Sequence, residues 1–253
     1  MIIDGKVIAE SVYARLPKTP LKLGILVGGK NPVIDSFVKI KQKAAERLGV
    51  ELVREELRDG AATAEAVAAV LSLAAKTDGI IVQLPLPQTI NTTEVLATIP
   101  PEKDVDGISR SPKVRPPVAE AVREILEQSS IDVKEKKAVV IGSGRLVGKP
   151  SAQLLRDLGA DVIVLKHGDS FDTLKDADIV VLGAGEQGIV KPEHLKKGVI
   201  LIDAGTSETG GKLAGDADPA CAEVASVFTP VPGGVGPIAV AMIFKNLFAL
   251  SEK

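Results

Sequence analysis

Between Leu21 and Gln83 short apolar runs and helix-length segments take turns, and this alternation constrains the fold more than any other feature of the chain. The run Leu23-Gly24-Ile25-Leu26-Val27 leads into a helical stretch over residues 36–48, a strand-like stretch over 51–57 and an alanine-rich helix over 64–75. The run Gly79-Ile80-Ile81-Val82-Gln83 follows, and Pro85 to Pro87 then stop the pattern. Strands separated by helices of this length cannot close as hairpins, so a parallel sheet with right-handed crossovers is expected.

A second series opens with Lys137-Ala138-Val139-Val140-Ile141, a glycine-rich turn and a helix over 149–158, then strands over 161–165, 178–182 and 199–203. It reads as a Rossmann-like half. Between the series lie the prolines of Ser111-Pro112-Lys113-Val114-Arg115-Pro116-Pro117 and a connecting helix over 119–128, a plausible domain boundary. A last apolar helix over 238–250 is expected to return to the first domain. The chain is thus read as two α/β domains with a ligand cleft between them. The first spans 1–118 and is completed by 235–253, and the second spans 119–234.

The composition narrows the partners. With 45% hydrophobic and 25% charged residues and no uncharged run long enough to span a bilayer, the chain resembles soluble globular domains. An acid, Asp4, stands where a secretory leader carries basic residues. Cys221 is the single cysteine and there are two histidines, so an intrachain disulfide is impossible and a zinc site poorly supported. A net charge of −2 argues against an electrostatic nucleic-acid surface. The expectation is a cytoplasmic protein acting on a small molecule, with no membrane, nucleic-acid or metal partner.

Several segments carry chemistry. Gly142-Ser143-Gly144-Arg145-Leu146-Val147-Gly148 follows a strand and opens a helix, the context in which glycines let backbone amides approach a pyrophosphate. A tight turn without a ligand is the alternative. The next strand ends Leu165-Lys166-His167 with no acid before Asp169, which suits a ribose 2′-phosphate better than a free 2′-hydroxyl and points to NADP over NAD. On the helix over 36–48, Lys39 and Lys43 share a face and Lys41 lies nearly opposite. Such lysines are ordinarily solvated charge. Gln83, at the carboxyl end of a parallel strand, either faces a ligand or caps the strand. Asp104-Val105-Asp106-Gly107 could be a metal loop, a turn or a recognition site for a donor-rich heterocycle, and has too few ligands for an EF-hand. The stiff, glycine-rich stretch from Thr229 to Pro237 is best explained as a ligand-contacting loop.

In order and spacing, Asp4-Gly5-Lys6, Gln83-Leu84-Pro85-Leu86-Pro87, Pro101-Glu102-Lys103-Asp104-Val105-Asp106-Gly107 and Thr229 to Pro237 resemble the bifunctional methylenetetrahydrofolate dehydrogenase/cyclohydrolase family over essentially the whole chain. The resemblance implies NADP-dependent oxidation of 5,10-methylenetetrahydrofolate to the methenyl cation and its hydrolysis to 10-formyltetrahydrofolate, by a homodimer. It places Lys41 at the catalytic lysine position, with Gln83 hydrogen-bonded to it and Asp106 holding the pterin donors. Phe37, Gly233, Gly234, Val235 and Pro237 would contact the folate. Gly142, Ser143, Gly144, Arg145, Val147, Gly148, Lys166, His167 and Thr206 would contact the nucleotide. Ile34 and Phe37 stand where the family motif has serine and tyrosine, Val118 where it has threonine, and Ser143 where it has arginine. Two alternatives share these motifs: a cyclohydrolase alone, and a folate- or nucleotide-binding relative without catalysis.

Overall fold

A computed structural model describes residues 1–29, 32–209 and 212–252. In chain order the elements are α1 (Gly5–Ala14), β1 (Lys22–Val27), α2 (Pro32–Leu48), β2 (Glu51–Glu56), α3 (Thr63–Lys76), β3 (Gly79–Gln83) and α4 (Thr92–Ala97). There follow α5 (Pro117–Gln128), β4 (Lys137–Ile141), α6 (Gly148–Asp157), β5 (Asp161–Leu165), β6 (Ile179–Leu182) and β7 (Ile200–Asp203). The last are β8 (Ser207–Thr209), β9 (Lys212–Ala214), β10 (Val227–Phe228) and α7 (Val235–Ser251). The chain divides into two compact units, one of Val12–Pro117 with Val240–Lys253 and one of Met1–Ser11 with Val118–Ala239.

The first unit holds a parallel sheet in the order β2-β1-β3. Successive side chains on a strand face opposite ways. Leu23, Ile25 and Val27 of β1 and Ile81 of β3 therefore pack on one side with Ile34, Val38, Ala45 and Leu48 of α2 and Phe244 and Leu247 of α7. Leu26, Ile80 and Val82 pack on the other side with Val70 and Leu73 of α3 and Val95 and Leu96 of α4. Being covered on both faces, β1 needs apolar residues without alternation, whereas edge strand β2 keeps half-exposed and charged positions. At Gly24 any Cβ would come within 3.1 Å of both Leu73 and Thr77, so the missing side chain lets α3 sit low on the sheet.

The second unit holds a five-stranded parallel sheet, β10-β7-β6-β4-β5. From β4 the chain steps one way to β5 and then crosses to β6 on the other side, which makes the carboxyl ends of these strands a topological switch point. Val139, Ile141, Val180, Leu182, Leu201, Cys221 and Phe228 form its core. The N-terminal segment lies beside β10. Ile3 N–H donates to Phe228 O at 2.8 Å, and Phe228 N–H to Met1 O at 3.0 Å. Residues 1–11, 118 and 235–239, expected with the N-terminal domain, thus group with 119–234. The antiparallel pair β8–β9 was not anticipated by the strand pattern. Among the described residues no helix is long and apolar enough to cross a membrane.

Candidate functional site

On α2 the spacing of Ile34, Val38, Lys41, Ala45 and Leu48 is that of a single helix face, and all five are buried. Lys41, 9% exposed, is the one charge in this apolar stripe, while Lys39 and Lys43 face solvent. Its Nζ donates to Oε1 of Gln83, the last residue of β3, at 2.8 Å. The Gln83 amide nitrogen donates to Leu84 O at 3.1 Å, which turns the amide oxygen toward the lysine. Burial lowers the Lys41 pKa, and the nearby charge of Asp106 works against that shift. Phe37 is half-buried one turn before Lys41, and Ile34 belongs to the core.

The segment carrying Asp106 is fastened to β3. Ile80 N–H donates to Lys103 O at 2.7 Å, and Ile80 and Asp104 form a parallel bridge. Asp104 is fully buried, and its Oδ2 accepts from Ser109 N–H at 2.6 Å. From α7 the Asn246 amide donates to both Val105 O and Arg115 O at 2.9 Å. Gly107 has φ +63°, and a Cβ there would fall 2.7 Å from Val114 O, so the turn requires glycine. Asp106 remains half-exposed as a residue, yet desolvation of its carboxyl pushes the pKa up to about 7; Lys41 opposes the shift and Asp104 adds to it. The paired acids therefore form a turn held from beneath, with one carboxyl beside the buried amine. Among the described residues no group of histidines, cysteines and acids could hold a metal ion. A lysine of lowered pKa beside a carboxyl that titrates near neutrality is equipped for proton transfer.

In the second unit a cavity of about 570 Å³ opens at the carboxyl ends of β4, β5 and β6. Gly142, Ser143, Gly144, Lys166 and His167 line it, together with Gly183, Ala184 and Glu186 from the loop after β6. A Cβ on Gly142 would lie 2.4 Å from Gly183 O, and one on Gly148 2.0 Å from Gly142 O. The turn is therefore tight enough to bring the N-terminus of α6 up behind it. Gly148 begins α6, and Val147 packs on Gly183, where a Cβ would meet its side chain at 2.3 Å. Arg145 and Thr206 are exposed, and neither is among the cavity-lining residues. Asp169, the first acid after β5, accepts the Lys166 N–H at 2.7 Å, which commits one of its oxygens to the turn.

The stretch from Thr229 to Pro237, which runs into the first turn of α7, also belongs to this unit. Gly233 has φ +106°, and its carbonyl accepts from Gly5 N–H at 2.8 Å. A Cβ on Gly5 would lie within bonding distance of Gly234 O, so Asp4-Gly5-Lys6 is where α1 begins against this loop. Val235 is buried and Pro237 half-buried in the first turn of α7. Sequence reasoning passed over Asn246, Asp203 and Asp216. Their signals were present: a lone amide in an apolar helix, an acid closing the run Ile200-Leu201-Ile202, and a second acid shortly after it.

A parallel-sheet unit presenting a buried lysine at a strand end, in the same chain as a doubly wound unit with a glycine-lined cavity at its switch point, defines a nucleotide-dependent α/β enzyme. Two family models match the chain. The tetrahydrofolate dehydrogenase/cyclohydrolase catalytic domain matches residues 3–106, and the NAD(P)-binding domain of the same name matches 116–253. The bifunctional protein FolD of Magnetococcus marinus is 38% identical over 270 residues, covering 97% of this chain and 95% of that protein. FolD of Staphylococcus aureus is 38% identical over 281 residues, covering 100% and 96%. The crystal structure of the Trypanosoma brucei dehydrogenase-cyclohydrolase, complexed with NADP cofactor and inhibitor, matches with TM-score 0.92 at 32% identity, over 100% of this chain and 97% of that one. The chain belongs to the tetrahydrofolate dehydrogenase/cyclohydrolase family.

Proposed function

We propose that the chain carries both activities of its family: NADP-dependent oxidation of 5,10-methylenetetrahydrofolate to the 5,10-methenyl cation, and hydrolysis of that cation to 10-formyltetrahydrofolate. The observation that carries the reading is Lys41, buried on the apolar face of α2 and hydrogen-bonded to Gln83 at 2.8 Å. Nothing in packing alone calls for a desolvated amine there.

The two steps ask different things of the protein. Hydride loss leaves a cation stabilised by its two flanking nitrogens, so orientation is the main requirement and no proton moves. Hydrolysis begins as water adds to the cationic carbon and gives up a proton. It ends as the hydroxyl on that carbon releases its proton to solvent and becomes the formyl oxygen, while the bond from the carbon to N5 breaks and N5 takes a proton. A neutral Lys41 amine can accept the first proton and return one to N5, and its lowered pKa keeps the neutral form within reach. Gln83 fixes the amine's direction. Asp106, as the carboxylate, accepts pterin N–H donors, and Phe37, Gly233, Gly234, Val235 and Pro237 contact the rest of the folate.

The glycine cradle of Gly142 to Gly148 and the start of α6 fit a dinucleotide pyrophosphate. The bound nucleotide supplies the hydride acceptor. Lys166 and His167, exposed on the cavity wall, favour a 2′-phosphate and hence NADP over NAD. Ser143 and Gly144 approach the phosphates, with Arg145, Val147 and Thr206 in supporting positions. The reading extends to a cytoplasmic homodimer. β5 is the outer strand of its sheet, and Ile163 on it is 45% exposed.

A paired spectrophotometric assay tests the proposal. Formation of methenyltetrahydrofolate with NADP and, separately, its hydrolysis are both expected. Hydrolysis without hydride transfer would reduce the chain to a cyclohydrolase, and folate binding without turnover would make it a binding protein.

A further inference from the structure

Behind the nucleotide cavity lies a pair of buried carboxylates that the reactions do not use. Asp216 has no exposed surface, and it gathers the backbone N–H groups of three consecutive residues. Its Oδ2 accepts from Ala184 at 2.7 Å and Gly185 at 3.1 Å, and its Oδ1 from Glu186 at 2.8 Å. Ala184 and Glu186 line the cavity, and Asp216 itself does not. Beneath it Asp203, 1% exposed at the end of β7, accepts from Gly205 N–H at 3.0 Å, Asp216 N–H at 3.3 Å and Ala217 N–H at 2.9 Å. The glycines around the pair are cut to fit it. A Cβ on Gly205 would fall 2.1 Å from the Asp216 carboxyl, and one on Gly215 2.1 Å from Asp203 Oδ2.

Three donors converging on one side chain call for the several acceptor lone pairs of a carboxyl group; burial raises the Asp216 pKa, and the three N–H bonds oppose that shift. A loop at a strand end has no ladder of its own to hold it. Here that task falls to a side chain 30 to 32 residues further along the chain. We propose that Asp216 is a positioning residue for nucleotide binding: by holding the N–H groups of residues 184–186 it sets the shape of the cavity wall after β6, without touching the ligand. The inference rests on the reading of this cavity as the nicotinamide nucleotide site.

The substitution Asp216→Asn keeps size and one acceptor oxygen but turns an N–H₂ group toward backbone donors. The full-length variant should bind NADP at least about tenfold more weakly by calorimetric titration, in line with the loss of one or more buried hydrogen bonds. Methenyltetrahydrofolate hydrolysis should stay within about twofold, because Lys41, Gln83 and Asp106 belong to the other unit and the Asp216 carboxyl holds residues 184–186 rather than the folate-contacting stretch from Gly233 to Pro237. Amide hydrogen exchange should quicken at residues 184–186, while Ile179 to Leu182 stay protected. Gly205→Ala, which crowds the carboxylate without removing it, should have the same selective effect. NADP affinity unchanged within about twofold in both variants would overturn the proposal. So would loss of protection throughout β6, which would make Asp216 a general support of the sheet. The titration does not depend on turnover, so absence of folate chemistry in the unmodified protein would defeat the proposed reactions and leave this comparison standing.

Discussion

Lys41 is a residue whose placement is hard to explain by stability. Burying a cation in an apolar stripe is unfavourable, and a single neutral hydrogen-bond partner such as Gln83 compensates only in part. Lys41→Met keeps the unbranched stem and removes the amine. Hydrolysis should fall by roughly 10²- to 10⁴-fold, the span associated with loss of a positioned acid–base group, while hydride transfer loses much less. Thermal stability should hold or rise. Equal loss of both activities in that variant would mean that Lys41 shapes the site rather than moving protons. For Asp106 the sign of the pH dependence follows from its pKa near 7. In the proposed role of Asp106 the carboxylate is the form that accepts folate donors, so KM for the folate should fall as pH rises from about 6 to about 8. Asp106→Asn should flatten that profile, and a variant retaining the full slope would assign the ionisation to another group. Spacing along the sequence set Lys41 on a different face from Lys39 and Lys43, but by itself left it a solvated charge, whereas the structure buries it. Its meeting with Gln83, 42 residues away, depends on how α2 packs over the sheet, which periodicity does not encode.

At the scale of elements, the apolar runs of β1, β3 and β4 were readable because these strands are buried on both faces, and β5, half-exposed at the sheet edge, was still marked by its β-branched residues. β3, β4 and β5 occupy the residues that the pattern marked. α2 and α7 begin four and three residues earlier than the apolar period suggested, since a proline stands in each first turn, where its missing N–H costs no helical bond. β10 has only two residues, and its N-terminal neighbour comes from the opposite end of the chain, so neither leaves a local signature. The pairing of β8 with β9 rests on a register rather than an apolar run. α7 is a case where one polar residue organises another element. Asn246 satisfies the carbonyls of Val105 and Arg115 and thereby fixes both ends of the stretch following Asp104. Asn246→Leu fills similar volume but removes both bonds. Unfolding free energy in urea should drop by about 2–4 kcal/mol, the range for stranding buried acceptors. Folate KM should rise with it, because Asp106 lies within the same stretch. A change below about 0.5 kcal/mol would mean that water replaces the amide without loss.

For the whole molecule, the distribution of buried acids sets an unusual response to pH. Asp203 in one unit and Asp106 in the other are both pushed up to about 7 by burial. A carboxyl whose pKa is raised on folding binds its proton more tightly in the native state. Its contribution to stability is complete below the unfolded pKa of about 4 and is lost as pH climbs through about 7. Glu65 and Asp178 are shifted the other way, Glu65 first by the Ala62 N–H and Asp178 first by Lys196. Both are exposed enough that solvent screens most of their effect. Asp216 is shifted the same way as Asp203 and Asp106, whereas the lowered pKa of Lys41 works against them; with three raised carboxyls against one lysine, stability should decline from mildly acidic toward basic pH. Between pH 5.5 and 8 the decline assigned to Asp203 is roughly 2 kcal/mol, from 1.36 kcal/mol per pH unit up to its pKa, with a smaller, screened share from Asp106. Urea midpoints measured across that interval should shift downward with pH, and Asp203→Asn should remove most of the slope if the variant folds; Asp106→Asn provides the same comparison in the other unit. A midpoint that stayed level or rose between pH 5.5 and 8 would mean that the hydrogen bonds from Gly205, Asp216 and Ala217 already hold Asp203 ionised, and that burial has not set its protonation.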